Sequence, residues 1–426
     1  MPEAARDTIV ALSSGRPPSA VAVVRTSGPA AAAAAEAVAG RLPEPRRASL
    51  RSLRDPADGA LIDRGLVIFF PGPDTATGED VVEYQCHGSK AVVDALVAAL
   101  VAQPGVRAAE PGEFTRRALS NGRIDLTQAE GLAELLEAEN EVQRRSALLR
   151  AEGGLRSVIE GWRSRLLALS AEAEVAIDYA DEEEGGYAFN PAARLVALAS
   201  EIDRLLNAPR VERARDGVRL VVAGPPNAGK SSLVNALAGE ARAIVTHIAG
   251  TTRDLIEVPL SIGGVPVTLV DTAGLRESAD TVEAIGVGLA RAAIERCDLL
   301  LWLGPDGEAT DGPNCLRIAS KADLGPGGDG LPVSVVTGEG LDRVRDWILE
   351  QARPLVPSSE QPGLNAREAE LVGQCRDAIR RATALSDPVM LAEELRLARS
   401  ALDQVTGHAG VDSLLDALFG RFCLGK

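Results

Sequence analysis

Several things are scarce in this chain, and each absence narrows the reading. Basic residues are outnumbered, with 45 Lys and Arg against 61 Asp and Glu and a formal charge of −16. That balance argues against broad, nonspecific nucleic-acid binding. An RNA partner would have to be met through a local basic patch or a second protein. Cysteine is sparse too: five residues, scattered and without Cys-x-x-Cys spacing, suggest neither a zinc site nor a disulfide framework and fit a reducing cytoplasm. No apolar run is long enough to span a bilayer, and the alanine tract at 30–35 reads as helix. The first residues, Met-Pro-Glu-Ala-Ala-Arg-Asp, lack the basic n-region of a secretory leader, so the expected location is cytoplasmic. His87 and His247 stand alone in the sequence and read as structural or local to a switch loop rather than as metal ligands. What remains is ample for full cores, with 46% hydrophobic and 25% charged residues over 426 positions, enough for roughly two to four domains.

The most informative stretch is Arg219-Leu-Val-Val-Ala-Gly224-Pro-Pro-Asn227-Ala228-Gly229-Lys230-Ser231-Ser232-Leu233. An apolar strand breaks into a Gly-bounded loop and resumes with helical periodicity, which is the phosphate-binding loop in its confirming context. The loop turns backbone N–H groups toward a phosphate, and the helix that follows points its positive end at the same place. Lys230 brings charge to the outer phosphates, and the Ser231 hydroxyl is a ligand for Mg²⁺. Further loops follow in the expected order. Gly250-Thr251-Thr252-Arg253-Asp254 reads as a switch whose Thr252 completes the Mg²⁺ shell. Asp271-Thr272-Ala273-Gly274 ends a strand, with Asp271 holding the metal through water and the Gly274 N–H sensing the γ-phosphate. In Ser320-Lys321-Ala322-Asp323, the carboxylate of Asp323 matches the N1 and N2 donors of guanine. Ser334 and its neighbours lie near the base. Serine at 320 replaces the usual Asn, and its shorter side chain with one donor predicts the loss of one tie, either to the base or to the phosphate loop.

One residue type is missing where many small GTPases use it. Leu275, not Gln, follows Gly274, and leucine cannot orient water. Carboxylates in the segment 275–286 would take that role, directly or through a second water. Asn227 either shapes its loop or offers an amide oxygen to a monovalent cation that offsets transition-state charge.

Around this site the chain reads as a multidomain α/β protein. Residues 1–118 mix strands (near 8–12, 21–25 and 66–70) with a helix from 90 to 102. A long helix is expected from Thr127 to about Ser157, opened by a Thr127–Glu130 capping box. Helices at 158–177 and 191–206 follow, the first closed by the glycine pair at 185–186. Strands at 220–223, 256–262, 265–270, 299–303, 316–319 and 333–336 alternate with helices and imply a doubly wound sheet. A Pro-rich linker at 354–363 precedes helices at 366–386, 391–405 and 410–419. Helices on both sides suggest one bundle interrupted by the nucleotide domain. The expected bounds are 1–118, 119–210, 211–357 and 358–426.

These motifs, taken with Asn121-Gly-Arg123-Ile-Asp125, Phe114-Thr-Arg116 and the terminal Phe422-Cys423-Leu424-Gly425-Lys426, closely resemble the MnmE (TrmE) family of tRNA-modifying GTPases over essentially the whole chain. The resemblance implies an α+β, folate-binding N-terminal domain that also dimerises, an α-helical bundle and an inserted Ras-like G domain. It implies GTP hydrolysis that depends on K⁺ and Mg²⁺. It also implies work with the flavoprotein MnmG, in a heterotetramer built on the homodimer. Together they place a carboxymethylaminomethyl or aminomethyl group at C5 of the wobble uridine, U34, of certain tRNAs. The carbon unit would come from a reduced folate of the 5-formyl- or 5,10-methylene-tetrahydrofolate type. By position, Asn227, Thr246, Ile248 and Thr251 would surround K⁺ and Ser231 and Thr252 would ligate Mg²⁺. The nucleotide site would include the whole run Thr246-His247-Ile248-Ala249-Gly250. Glu283 would be the catalytic carboxylate, and Arg25, Glu83 and Arg123 would hold the folate, with Lys426 at the tail. Arg123 stands where relatives often carry Lys. Cys423 is either a free thiol on a frayed tail or a nucleophile toward uracil C6. The competing reading is a ribosome-associated or assembly switch without modification chemistry; a whole domain ahead of the nucleotide domain favours the enzyme.

Overall fold

The computed structural model describes residues 7–178, 190–240, 242–243, 256–271, 292–304, 314–325, 330–358 and 360–408, with residues 418 and 425 besides. The chain divides into two compact units, Met1–Ala133 with Asp403–Lys426, and Glu134–Leu402. Among the described residues no helix is long and apolar enough to cross a membrane.

The first unit is built on six strands: β1 (Thr8–Leu12), β2 (Ser19–Ser27), β3 (Ser49–Arg54), β4 (Leu61–Phe70), β5 (Val81–Gly88) and β6 (Val106–Ala108). Their order in the sheet is β3-β4-β5-β2-β1-β6, antiparallel except where β1 meets β6. Two helices cover one face, α1 (Ala31–Ala39) and α2 (Lys90–Val101). The alanine tract explains α1: Ala31, Ala34, Ala35 and Val38 fall on one face at helical spacing and are buried, and small side chains let the helix lie close to the sheet. From α2, Val93, Leu96 and Leu100 join Val24, Val67 and Tyr84 in the same core. Ser89 caps α2 by accepting the Val92 N–H at 3.2 Å,. A third helix, α3 (Glu113–Ser120), is tied down by charge. Arg117, only 5% exposed, donates to Asp7 at 2.9 Å, Glu113 at 3.0 Å and Glu79 at 3.2 Å. Burial pushes the Glu113 carboxyl up, but hydrogen bonds from Arg107, the Glu110 N–H and Arg117 hold it below the usual carboxylate range,.

The second unit holds a helical part and a second sheet. Helix α4 (Leu126–Glu137) begins in the first unit and ends in the second; α5 (Glu141–Ala151), α6 (Gly154–Asp178) and α7 (Ala192–Leu206) follow, then the short α8 (Glu212–Asp216). In α6 the residues Leu155, Ile159, Trp162, Leu166, Leu169 and Ala173 are buried, one apolar stripe at the helical period. The expected single helix over 127–157 is in fact three pieces. Asn140 restarts the chain as the cap of α5, in a reciprocal capping box with Gln143, and Gly153 turns it again at φ 88°,. The capping box at the front of α4 also lies two residues earlier than its sequence signal. The Asp125 carboxylate accepts from the Gln128 N–H at 2.9 Å, and the Gln128 amide oxygen accepts from the Asp125 N–H at 3.1 Å. Thr127 donates its hydroxyl to Asp125 instead of capping.

The second sheet contains β7 (Val218–Ala223), β8 (Arg242–Ala243), β9 (Ile256–Ile262), β10 (Val265–Asp271), β11 (Leu299–Trp302), β12 (Cys315–Ser320) and β13 (Leu331–Val333). The order is β13-β12-β11-β7-β10-β9-β8. The five strands from β13 to β10 run parallel, and β9 pairs antiparallel with both of its neighbours. Helix α9 (Lys230–Glu240) and helix α10 (Leu341–Ala352) bury Leu233, Leu237, Val344 and Ile348 against Leu220, Val222, Leu269 and Leu301. The strand expected at 333–336 ends at Val333, because Ser334 opens a turn closed by the Gly338 N–H on its carbonyl at 2.9 Å. The short β3, β6 and β8 escaped the sequence pattern.

Helices α11 (Ala366–Thr383) and α12 (Pro388–Thr406) are the last described elements. The sheet is entered and left at one place. The Val211 N–H donates to the Leu364 carbonyl at 3.2 Å, and the Ala366 N–H to Glu212 at 2.8 Å. Next to that junction the fully buried Arg150 donates to both oxygens of the fully buried Glu368, at 2.8 and 3.0 Å, and to the Gly363 carbonyl at 2.8 Å. The segments that lead into and out of the sheet are therefore tied to each other and, through Arg150 and Gly363, to α5.

Candidate nucleotide site

β7 is a central strand of the second sheet, and the phosphate-type loop leaves its C-terminal end. Gly224 there has φ 146°, and a Cβ on it would meet the Leu303 carbonyl carbon at 2.9 Å. Any other residue would push the loop off Leu303, just past the end of β11,. Asn227 takes a left-handed conformation at φ 60°, which Asn tolerates better than most residues. α9 then starts at Lys230, so first-turn amides without a carbonyl one turn back face the loop. Lys230 Nζ donates to the carbonyls of Gly224 at 3.0 Å and Pro225 at 2.8 Å, so its charge is held over the loop.

Parallel pairing of β10 with β7 sets Asp271 beside Val222. That register brings the buried Asp271 carboxylate to Ser231, whose hydroxyl donates to it at 3.1 Å. A hydroxyl and a carboxylate converging on the phosphate loop are hard oxygen donors of the kind Mg²⁺ takes.

The base side is cross-tied. Ser320 ends β12 and donates its hydroxyl to the Ala228 carbonyl at 2.6 Å. Lys321, at φ 60°, donates to the Asn227 carbonyl at 2.8 Å. Of the two ties in question for Ser320, the one to the phosphate loop is present. Asp323 sits in a short turn, and the fully buried Ser334 donates to its Oδ1 at 2.6 Å. Ser334 Oγ in turn accepts from the N–H groups of Val336 at 3.3 Å and Thr337 at 3.2 Å. A cavity of about 250 Å³ opens here, lined by Leu233, Ile318, Ser320, Lys321, Asp323 and Val336 among others, with Gly229 and Ser232 at its phosphate end. The sequence placed Ser334 near the base but did not reveal that it aims Asp323; only burial and the fold of the turn show that.

The structure thus brings together Asn227, Ala228, Gly229, Lys230, Ser231, Ser232, Asp271, Lys321, Asp323 and Ser334. The calls on Thr246, His247, Ile248, Ala249, Gly250, Thr251, Thr252, Thr272, Ala273, Gly274, Glu283, Cys423 and Lys426 lie outside the described residues.

In the first unit, Arg25 and Glu83 are cross-strand partners on β2 and β5. Arg25 donates to Glu83 Oε1 at 2.6 and 3.0 Å, and its guanidinium lies 5.9 Å from the centre of the Phe114 ring,. Arg123 is held on a turn, donating to the Thr75 carbonyl at 3.1 Å and to Asp74 at 2.8 Å. The C-terminal tail touches this unit at Gly425. The Ser13 hydroxyl donates to its carbonyl at 2.8 Å, and a Cβ there would lie 2.0 Å from the Leu12 carbonyl oxygen, so only glycine fits. Cys86, Cys297, Cys315 and Cys375 are free. Burial pushes each of these thiols up, that of Cys375 to about 12, so none is a nucleophilic thiolate at neutral pH.

Comparison with known proteins agrees with this arrangement along the whole chain. Residues 8–123 match the family described as "GTP-binding protein TrmE N-terminus", and residues 126–423 match the family "MnmE helical domain". A protein of Novosphingobium aromaticivorans named "tRNA modification GTPase MnmE" is 48% identical over 99% of this chain and 100% of its own length. The chain belongs to the MnmE family. Two further MnmE proteins, each named "tRNA modification GTPase MnmE", give the same picture. That of Erythrobacter litoralis is 49% identical over 99% of this chain and 100% of its own. That of Rhizorhabdus wittichii is 51% identical over 99% and 97%. The sheet order described above is therefore the MnmE nucleotide domain, set between MnmE helices.

Proposed function

We propose that this chain is a GTP hydrolase of tRNA modification whose turnover depends on K⁺ and Mg²⁺ and proceeds without an external activating protein. The observation that carries the reading is the cross-tied pocket: Asp323 aimed by Ser334 at one end and Lys230 held over its loop at the other. Asp323 accepts N1–H and N2–H of guanine, a pattern adenine lacks. Lys230 meets the outer phosphates, and the first-turn amides of α9 orient them. Ser231 and Asp271 fit Mg²⁺, Asp271 through water, and Thr252 completes the set. Asn227, Thr246, Ile248 and Thr251 hold K⁺. These cations, when bound, offset negative charge that develops as the γ-phosphoryl group transfers. With Leu275 unable to bind water, the Glu283 carboxylate orients the attacking water.

In the same proposal, Arg25, Glu83, Arg123 and Lys426 hold a reduced folate, which supplies a one-carbon unit. Two copies of the chain pair through their N-terminal domains and work with the flavoprotein MnmG in a heterotetramer in the cytoplasm. The product is a carboxymethylaminomethyl or aminomethyl group at C5 of U34. Cys423 attacks uracil C6 to activate C5; a Cys423→Ser variant with full modification activity removes that role. GTP and K⁺ close the nucleotide domains, hydrolysis opens them, and the helices carry the motion. The test is phosphate release from GTP in KCl against NaCl. Strong stimulation by K⁺ alone is expected, and equal rates in the two salts overturn the cation assignment.

A further inference from the structure

Asp323 meets only the N1 and N2 donors of guanine, and Ser320 is the residue that decides how its acceptors are met. This inference rests on the guanine reading above. Beyond N1 and N2, guanine presents two acceptors, O6 and N7. A site recognises a buried acceptor only by placing a donor on it, and it discriminates strongly only where that donor would otherwise be left unpaired. With the N1 and N2 edge at Asp323 and the phosphates at the loop after β7, the N7 side of the base runs along the stretch between them. Ser320 stands at that junction: a Cβ on Gly229 would lie 3.9 Å from its Cβ and 4.0 Å from its hydroxyl oxygen.

A serine hydroxyl has one proton, and that of Ser320 goes to the Ala228 carbonyl at 2.6 Å. The proton of Ser334 goes to Asp323 at 2.6 Å. Lys321 also lines the cavity, and its ammonium is drawn to the Asn227 carbonyl at 2.8 Å, on the phosphate loop rather than the base loop. Ser232 lies at the phosphate end, one residue beyond Ser231. An asparagine at 320 would carry two N–H donors, one for the Ala228 carbonyl and one for the base. Serine keeps the first and lacks the second.

We propose that Ser320 is a positioning residue, tying the base loop to the phosphate loop, and that the described side chains of the pocket leave N7 of guanine unread. The site then takes 7-deazaguanine nucleotides as readily as guanine nucleotides, a wider substrate class than an asparagine at 320 would allow.

The test is a set of binding titrations on the full chain with GDP, 7-deaza-GDP and ADP, in wild type and in Ser320→Asn. In wild type, GDP and 7-deaza-GDP are expected to bind within about twofold of each other, while ADP binds far more weakly. In Ser320→Asn, GDP is expected to gain an advantage of about fivefold or more over 7-deaza-GDP, the size of one added hydrogen bond. A wild type that prefers GDP to ADP but loses tenfold on 7-deaza-GDP overturns this inference and leaves the guanine reading standing. A wild type that binds ADP as well as GDP overturns both. Should Ser320→Asn lose nucleotide binding altogether, the wild-type ratio alone decides.

Discussion

The nucleotide site and the Arg25–Glu83 site are built on opposite plans. Around the phosphate loop, the described partners of Lys230, Ser320 and Lys321 are backbone carbonyls of the loop itself. The base loop is tied to the phosphate loop through Ser320 and Lys321. On the sheet of the first unit, Arg25 is matched by a carboxylate across the strand pair, and Arg123 by Asp74. There the proposed folate would share or exchange partners with charges already paired. The difference teaches that the described loops of the first site are braced by their own backbone, whereas Arg25 and Arg123 are braced by carboxylates.

Substitutions can break or sharpen that contrast. The largest effect is expected for Lys230→Ala, which removes the loop-held charge from the phosphates. GTP turnover should fall on the order of a hundredfold or more, read as phosphate release. Ser334→Ala should come next. It leaves Asp323 without its orienting hydroxyl and should weaken GDP binding about tenfold, with little change in thermal unfolding. Arg25→Ala should be milder. Its pair with Glu83 is partly exposed, at 27% and 19%, so reduced-folate affinity should drop a few-fold while GDP affinity does not move. A loss of GDP binding in that variant would dissolve the distinction between the two sites.

The smallest effect lies away from both sites. Burial pushes the Glu134 carboxyl up to about 7, with Arg150 pulling it down and Glu368, Glu212 and Glu137 pushing it further up. A raised carboxyl binds its proton more tightly folded than unfolded. Glu134 therefore costs stability as pH rises from the ordinary 4.5 through about 7, and the cost is fully present above that range. Glu134→Gln should remove this slope, so the melting temperature of the variant gains on wild type between pH 5 and 8. Partial exposure of Glu134 keeps the gain small.

The phosphate loop was legible in the sequence because its chemistry is written in consecutive residues: strand, Gly224, Gly229, Lys230, Ser231, helix. The parallel sheet was legible because its strands are continuous apolar runs such as Leu220-Val221-Val222. Three things were not. The helix over 127–157 looked unbroken because its apolar period survives the break at Asn140, whose capping role depends on Gln143 reaching back to it. The pairing of Ser334 with Asp323 spans a turn whose closure only the fold supplies. Gly425 reads as one more tail glycine until its carbonyl is seen on Ser13 and its α-carbon against Leu12.

The central claim is that a site cross-tied in this way is built for guanine nucleotide and turns it over. The most direct measurement is phosphate release by the full chain with MgCl₂ and KCl, offered GTP or ATP at equal concentration. The account predicts turnover of GTP with ATP left essentially untouched; equal rates on the two nucleotides would contradict it.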